Sequence, residues 1–248
     1  MSAVPETTED AFLGGRLRLR QPAAGYRAAI DPVLLAAAVP AAAGERVADL
    51  GCGVGTAGLC LLARVSGATV AGLELQPGLA ALAQQNAEAN GFADRLTVAQ
   101  GDVARPPSGF AAGRFDHVML NPPYLDPGAV RAPALELRRL ATVEGEPPLE
   151  TWLTQALALL CPRGCLTVIH RADRLDRLLA ALAGRCGDLV VFPLWPRPGE
   201  AAKRVLVQGR KGTGAPLRLL PGLALHEAGG AYTAAAEAVL RDAAALQL

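Results

Sequence analysis

The residues Asn121-Pro122-Pro123-Tyr124 directly follow an apolar, strand-like run at residues 115–120. Their types suit the binding of a planar NH2 group, whose two N–H protons need acceptors at fixed angles because the nitrogen lone pair is delocalised. The Asn121 side-chain oxygen and the Pro122 carbonyl can accept these protons. The two prolines stiffen the backbone, and the Tyr124 ring can stack on the substrate plane. These four residues are the candidate catalytic site, and the chemistry they indicate is group transfer to a planar nitrogen.

A glycine-rich turn, Asp49-Leu50-Gly51-Cys52-Gly53-Val54-Gly55, lies between a strand-like and a helix-like segment. Glycines at such a turn let backbone N–H groups approach a ligand that a β-carbon would exclude. Glu74 ends the next predicted strand, where a carboxylate can accept hydrogen bonds from both hydroxyls of a ribose. After the third strand, Asp102 can accept from an adenine amino group and Val103 can contact the ring. The candidate cofactor-binding residues are therefore Asp49, Gly51, Gly53, Gly55, Glu74, Asp102 and Val103.

Two nucleotide cofactors fit a turn of this kind, because residues 53–58 also match GxGxxG, the fingerprint of dinucleotide binding. Asp49 would repel a pyrophosphate, whereas its charge suits the cationic amino-acid tail of S-adenosylmethionine. The Asn121 motif also has no role in hydride transfer. The sequence therefore predicts S-adenosylmethionine as the cofactor and direct in-line methyl transfer to nitrogen, with proximity and orientation supplying most of the rate.

Strand-like and helix-like segments alternate from residue 46 onward. Seven strands are predicted at residues 47–50, 69–73, 96–99, 115–120, 165–170, 189–192 and 204–207, with helices at residues 56–65, 77–90, 149–160 and 174–182 between them. This alternation is typical of a doubly wound sheet whose ligands bind at the carboxyl ends of the strands. The predicted fold class is therefore α/β, with a mostly parallel, seven-stranded, Rossmann-like sheet and a short N-terminal extension.

Four regions are predicted along the chain. Residues 1–11 are expected to be disordered, 12–40 to form a hairpin and helix cap, 41–220 to form the S-adenosylmethionine-binding catalytic domain, and 221–248 to form a C-terminal helical extension. Within the catalytic domain, residues 126–146 combine prolines, glycines and charges directly after the candidate catalytic site. This pattern is typical of a lid over an active site, and a disordered surface loop is the alternative.

Composition argues against several classes of protein. The 248 residues carry a formal net charge of +1, which is weak evidence against a large non-specific nucleic-acid surface. Five cysteines without a CxxC pair and three histidines make a poor disulfide or zinc framework, so no metal site is predicted. The apolar runs are too short to span a bilayer, and residues 1–10 lack the features of a secretion signal. A cytoplasmic protein with no membrane partner is therefore expected, while the oligomeric state is left open.

The order of these motifs resembles the class I S-adenosylmethionine-dependent methyltransferases that act on exocyclic or amide nitrogen. Two further segments, residues 26–35 and 203–212, are similar to the bacterial tRNA adenine-N6 methyltransferase family, which modifies an adenosine beside the anticodon of a valine tRNA. The resemblance covers roughly residues 12–220. It implies that Arg27 and Asp31 close the cofactor pocket from the N-terminal side. The chain departs from the family pattern at Ala28-Ala29, where an aromatic residue is expected.

The resemblance makes tRNA the expected substrate, methylated at the exocyclic N6 amine of an adenine. Two alternatives stay open: methylation of a glutamine amide in a protein such as a release factor, and an inactive cofactor-binding subunit that binds RNA or serves as a scaffold. The release-factor enzymes typically carry a helical N-terminal domain, for which the residues before the glycine-rich turn are too few. The basic residues predicted to contact the RNA backbone are Arg16, Arg18, Arg20, Lys203, Arg204, Arg210 and Lys211.

Overall fold

A mixed β-sheet forms the centre of the computed structural model, which describes residues 6–24, 27–123 and 147–248. An N-terminal hairpin comprises β1 Thr7–Phe12 and β2 Leu17–Pro22. The strands of the sheet are β3 Arg46–Leu50, β4 Thr69–Glu74, β5 Leu96–Gln100, β6 Phe115–Leu120, β7 Leu160–Arg171, β8 Cys186–Trp195, β9 Arg204–Lys211, β10 Arg218–Leu219 and β11 Leu223–Ala224. Their order is β10-β8-β9-β7-β6-β3-β4-β5, and β11 also pairs with β8. The seven longer strands are those predicted, so the fold class is confirmed, and the two-residue strands extend the edge at β8.

The strand directions bring the carboxyl ends of five neighbouring strands together. Strands β3, β4, β5, β6 and β7 pair in parallel, whereas β9 pairs antiparallel with both β7 and β8. The carboxyl ends of β3, β4, β5, β6 and β7 therefore meet at one edge, the carboxyl rim. Strand β9 begins at this rim, where Arg204 lies opposite Arg171. It ends at the opposite edge, the amino rim, where Arg210 lies opposite Cys165.

Helices pack against both faces of the sheet. They are α1 Asp31–Ala38, α2 Thr56–Arg64, α3 Pro77–Ala89, α4 Leu149–Leu159, α5 Leu175–Leu182 and α6 Ala234–Asp242. Successive residues of a strand point to opposite faces, and β6 shows this directly. Met119 belongs to the apolar cluster that includes α1 and α2, whereas Val118 and Leu120 belong to the cluster that includes α4 and α5. A sheet buried on both faces accounts for the nearly continuous apolar sequence of its strands.

The N-terminal hairpin corrects the prediction that residues 1–11 are disordered. Strand β1 pairs antiparallel with β2 along its whole length, from Thr7 opposite Pro22 to Phe12 opposite Leu17. The sequence of β1 is polar because this strand contributes backbone hydrogen bonds and little apolar surface. Strand β2 buries Leu17 and Leu19, and its backbone exchanges hydrogen bonds with the Asn86 side chain on α3. Residues 1–5 lie outside the described residues.

At the other end of the chain, β11 lies beyond residue 220, where the catalytic domain was predicted to end. Helix α6 falls within the predicted helical extension. The lid prediction for residues 126–146 lies outside the described part of the chain, which resumes at residue 147. Within the described ranges, no helix is long and apolar enough to cross a membrane. The same ranges contain no group of three or more His, Cys, Asp or Glu side chains placed to hold a metal ion.

Candidate functional site

A cavity of about 480 Å³ opens at the carboxyl rim. Its lining includes the glycine-rich turn after β3, Glu74 at the end of β4, and Asn121, Pro122 and Pro123 after β6. The structure thus brings the predicted acceptor residues to one cavity with four of the nine predicted cofactor residues, Asp49, Gly51, Gly53 and Glu74, although they come from three different strands. Gly55 is not among the described residues that line it. Tyr124, the fourth residue of the predicted catalytic motif, lies outside the described residues.

The three glycines of the turn have left-handed backbone conformations, with φ of +70° at Gly51, +56° at Gly53 and +84° at Gly55. At Gly51, a β-carbon would lie 2.8 Å from Cη2 of Trp152 on α4, which also lines the cavity. At Gly53, a β-carbon would meet no heavy atom within 4 Å. Gly51 is therefore required by packing as well as by φ, whereas the space beside Gly53 is open to a ligand.

Glu74 is held rigidly beside this turn. Its carboxylate accepts hydrogen bonds from the backbone N–H of Gly53 at 2.9 Å and of Gln76 at 2.8 Å. Burial raises the pKa of this carboxyl, and the two backbone hydrogen bonds act in the opposite direction. An ionised carboxylate has about four acceptor positions, so Glu74 can accept further hydrogen bonds from ligand hydroxyls while keeping both backbone contacts.

Two polar atoms of the cavity lining have no hydrogen-bond partner among the described residues: Oδ2 of Asp49 and Oγ1 of Thr56. Asp49 is 3% exposed, and burial raises its pKa from 3.8 to about 7. The Glu74 charge raises this pKa further, and the nearby Gly58 N–H lowers it. A buried carboxylate without a partner is unfavourable, and a ligand cation would remove that penalty. The cavity floor is thus suited to a positively charged group.

Asp102 and Val103 lie apart from the cavity lining. Oδ1 of Asp102 accepts from the Ala104 N–H at 2.8 Å, and the Val103 side chain packs in the apolar core. Neither residue is among the described residues that line the cavity. Gln76 and Leu79, at the start of α3, line this side instead. The role predicted for Asp102 and Val103 at an adenine ring stays a prediction.

The N-terminal wall of the cavity is formed by Gln21, Ala28 and Pro32. The Gln21 side chain is 2% exposed, accepts from the Ala28 N–H at 2.8 Å and donates to Asp10 at 2.9 Å. Arg27, predicted to close the pocket, instead pairs with Asp10 and donates to the Pro22 carbonyl at 3.1 Å. It therefore ties the segment before α1 to the hairpin without itself lining the cavity.

Asp31, the second residue predicted to close the pocket, accepts from Nε of Arg204 at 2.9 Å. Arg204 lines the cavity, whereas Asp31 is not among the described lining residues. The ion pair joins the start of α1 to the start of β9. This contact orients Arg204 at the cavity wall, and the closing role predicted for Asp31 stays a prediction.

The predicted RNA-contacting residues occupy separate places. The side chains of Arg16, Arg18 and Arg20 are exposed on the hairpin, where Arg16 pairs with Asp242 and Arg18 with Glu9. The remaining four lie at opposite ends of β9: Lys203 and Arg204 at the carboxyl rim, Arg210 and Lys211 at the amino rim. Of these seven basic residues, only Arg204 is among the described residues that line the cavity. Arg171, which was not predicted from the sequence, also lines the cavity.

Comparisons of this chain with known proteins all indicate a methyltransferase family. Residues 28–138 match the methyltransferase small domain. A tRNA1(Val) (adenine(37)-N6)-methyltransferase of Porphyromonas gingivalis is 33% identical over 81% of this chain and 81% of its own length. A release factor glutamine methyltransferase of Rhodospirillum rubrum is 36% identical over 50% of this chain and 39% of its own length. A solved Agrobacterium tumefaciens protein, described as a predicted O-methyltransferase, is 31% identical with a TM-score of 0.73, covering 87% of this chain and 98% of that chain.

The chain belongs to the class I S-adenosylmethionine-dependent methyltransferases. S-adenosylmethionine fits the residues of the methyltransferase cavity. Oδ2 of Asp49 and Oγ1 of Thr56 have no partner among the described residues, the space beside Gly53 is open, and the Glu74 carboxylate is fixed by backbone N–H groups. The roles predicted for Asp49 at the amino-acid end and for Glu74 at the ribose stay predictions. Trp152 adds an aromatic wall, fixed by a hydrogen bond from Nε1 to the Pro147 carbonyl at 3.1 Å.

Proposed function

We propose that this methyltransferase transfers a methyl group to the exocyclic N6 amine of an adenine in tRNA. The observation that carries the proposal is the place of Asn121, Pro122 and Pro123 in the same cavity as Gly53 and Glu74. A planar amine bound at Asn121 would lie beside the donor site. The overall likeness to a tRNA1(Val) (adenine(37)-N6)-methyltransferase supports adenine in tRNA as the source of that amine.

Asn121 and Pro122 supply the chemistry expected of the acceptor side. Bound S-adenosylmethionine supplies an activated methyl group on a sulfonium. The Asn121 side-chain oxygen and the Pro122 carbonyl accept the two N–H protons and hold the amine plane fixed. As the nitrogen is methylated it becomes cationic, and these acceptors stabilise the developing charge more than they stabilise the ground state. The methylated nitrogen is acidic, so it loses its proton without a strong general base.

Asn121 is proposed to act in methyl transfer and Glu74 in donor binding, and this difference can be tested directly. We expect Asn121→Ala to lower kcat by about 10²–10³-fold, with donor affinity nearly unchanged. Glu74→Ala should weaken donor binding, because the ribose acceptor and the hydrogen bond to Gly53 are both lost. Isothermal titration with S-adenosylhomocysteine and single-turnover kinetics separate the two effects. Loss of binding in Asn121→Ala, together with unchanged binding in Glu74→Ala, would reverse the assignment.

The substrate class is tested by incubating the protein with labelled S-adenosylmethionine and either bulk tRNA or bulk protein. Mass analysis of the digested RNA should show N6-methyladenosine. Label in a glutamine of protein alone would favour the second candidate, which is supported by a relative that aligns with half of this chain. Absence of label in both would favour an inactive binding subunit. The cytoplasmic location stays a prediction from the N-terminal sequence.

A further inference from the structure

Two arginines face each other at the wall of the cavity. Arg171, the last residue of β7, is the direct antiparallel partner of Arg204, the first residue of β9. Directly opposite residues of an antiparallel pair share one face of the sheet, with β-carbons about 5 Å apart. Both side chains line the cavity and are partly exposed, 42% for Arg171 and 33% for Arg204. Like charges in this position destabilise a sheet, so the direct pairing of the two arginines is itself unfavourable.

Each arginine is oriented by its own carboxylate. Nε of Arg171 donates to Asp173 at 2.9 Å and the same guanidinium reaches the second carboxylate oxygen, while Nε of Arg204 donates to Asp31 at 2.9 Å. Asp173 raises the pKa of the Arg171 guanidinium, and the Arg204 charge acts in the opposite direction, so the two cations interact. Among the described residues, two more cations lie close in the chain: Lys203 precedes Arg204, and Arg174 follows Asp173.

The sheet order places the arginine pair on the acceptor side of the cavity. Strand β6, which precedes Asn121, has β7 on one side and β3 on the other, followed by β4. Neighbouring strands are about 4.8 Å apart, so Arg171 lies one strand from Asn121, and Glu74 lies two strands away in the opposite direction. An anion bound between Arg171 and Arg204 would therefore lie nearer to the amine at Asn121 than to the ribose site at Glu74.

We propose that Arg171 and Arg204 form a clamp for a backbone phosphate of the RNA next to the methylated base. The inference rests on the proposed function and adds the group through which the substrate is recognised. A phosphate between the two guanidiniums would remove their repulsion, and the planar fork of arginine matches phosphate oxygens. Every nucleotide of RNA carries a phosphate, whereas a protein need not carry an anion beside a glutamine amide, so the clamp favours nucleic acid over protein as the substrate.

The test is the salt dependence of binding to a tRNA1(Val) transcript, measured by fluorescence anisotropy at several salt concentrations. Arg171→Ala and Arg204→Ala should each weaken binding about tenfold and make the slope of log K against log salt shallower by about 1. Arg197→Ala is the matched control, because Arg197 is 47% exposed, pairs with Glu200 at 3.0 Å and is not among the described residues of the cavity lining. Titration with S-adenosylhomocysteine should show donor affinity unchanged within about twofold in all three variants.

Arg171→Lys keeps the charge and guards against misfolding of the alanine variant. Arg171→Lys should keep the wild-type dependence of RNA binding on salt, because the positive charge is retained. It should still weaken binding, because lysine lacks the planar two-pronged guanidinium of arginine. The clamp is overturned if both alanine variants match Arg197→Ala, or if they lose donor affinity in parallel with RNA affinity. In either case, tRNA methylation by the wild-type protein would leave the proposed function standing. A wild-type protein that neither binds nor methylates tRNA would overturn both proposals.

Discussion

Replacement of Gly51 by alanine should destabilise the protein for two separable reasons. The new side chain must adopt φ of +70°, and its β-carbon would lie 2.8 Å from Cη2 of Trp152. A left-handed conformation costs an L-residue about 1–2 kcal/mol, and overpacking of a tight site costs about 1–3 kcal/mol. The expected loss is therefore about 2–5 kcal/mol, a large part of the 5–15 kcal/mol by which domains are typically stable.

Gly53 offers a matched control in the same turn. Its φ is +56°, yet a β-carbon there would meet no heavy atom within 4 Å. Gly53→Ala should therefore lose only the conformational part, about 1–2 kcal/mol. Urea unfolding followed by circular dichroism measures both variants, with equal m-values as the check on two-state behaviour. The difference between the two losses reports the contact with Trp152.

The contact itself is tested by a double-mutant cycle between Gly51→Ala and Trp152→Phe. The smaller ring should relieve the clash, so the double variant should be more stable than the sum of single losses predicts, by about 1 kcal/mol or more. The lost hydrogen bond from Trp152 to the Pro147 carbonyl occurs in both arms of the cycle and cancels. Equal losses at Gly51 and Gly53, or a cycle without coupling, would refute the packing explanation.

Two further predictions concern the cavity floor and its N-terminal wall. The raised pKa of Asp49, about 7 against 3.8, means that the folded state binds a proton that the unfolded state has already released. Stability without ligand should therefore fall as the pH rises from about 4 to 7, by at most about 4 kcal/mol, and urea midpoints of Asp49→Asn should lack this fall. If Asp49→Asn lost stability over the same pH range as the wild-type protein, Asp49 would not be the group responsible for this pH dependence. Gln21→Ala removes the hydrogen bond to the Ala28 N–H and should weaken S-adenosylhomocysteine binding several-fold in a titration without changing kcat. Unchanged affinity would show that this wall does not contact the donor.

The central sheet was predictable because each of its strands carries its own signal. Short apolar runs such as residues 115–120 are buried on both faces, and proline or glycine marks the ends of the helices between them. The hairpin strand β1 lacks such a signal. Its sequence from Thr7 to Asp10 is polar, and its order comes from pairing with β2 and from the contacts of Arg27 with Thr8 and Asp10. Propensity along one segment does not report partners that are distant in the sequence.

The same reasoning explains which parts of the site were predictable. Residues at or directly after the carboxyl end of a parallel strand, such as Gly51, Glu74 and Asn121, share one rim whatever the details of packing, and all three line the cavity. The sequence prediction groups the basic residues from Lys203 to Lys211 as contacts to the RNA backbone, because they are close in sequence.

Strand β9 separates these charges, because eight residues at about 3.3 Å each carry the chain from one rim to the other. Its antiparallel direction then leaves Arg204 beside the acceptor and directs Arg210 and Lys211 to the amino rim, where Lys211 donates to the Leu160 carbonyl at 2.7 Å. Arg171 was missed for the complementary reason: nothing in its own segment links it to Arg204, and only the register of β7 with β9 pairs the two cations. If the clamp is correct, the charge that recognises RNA at this cavity is defined by strand direction and register, and a search for basic runs in the sequence would not find it.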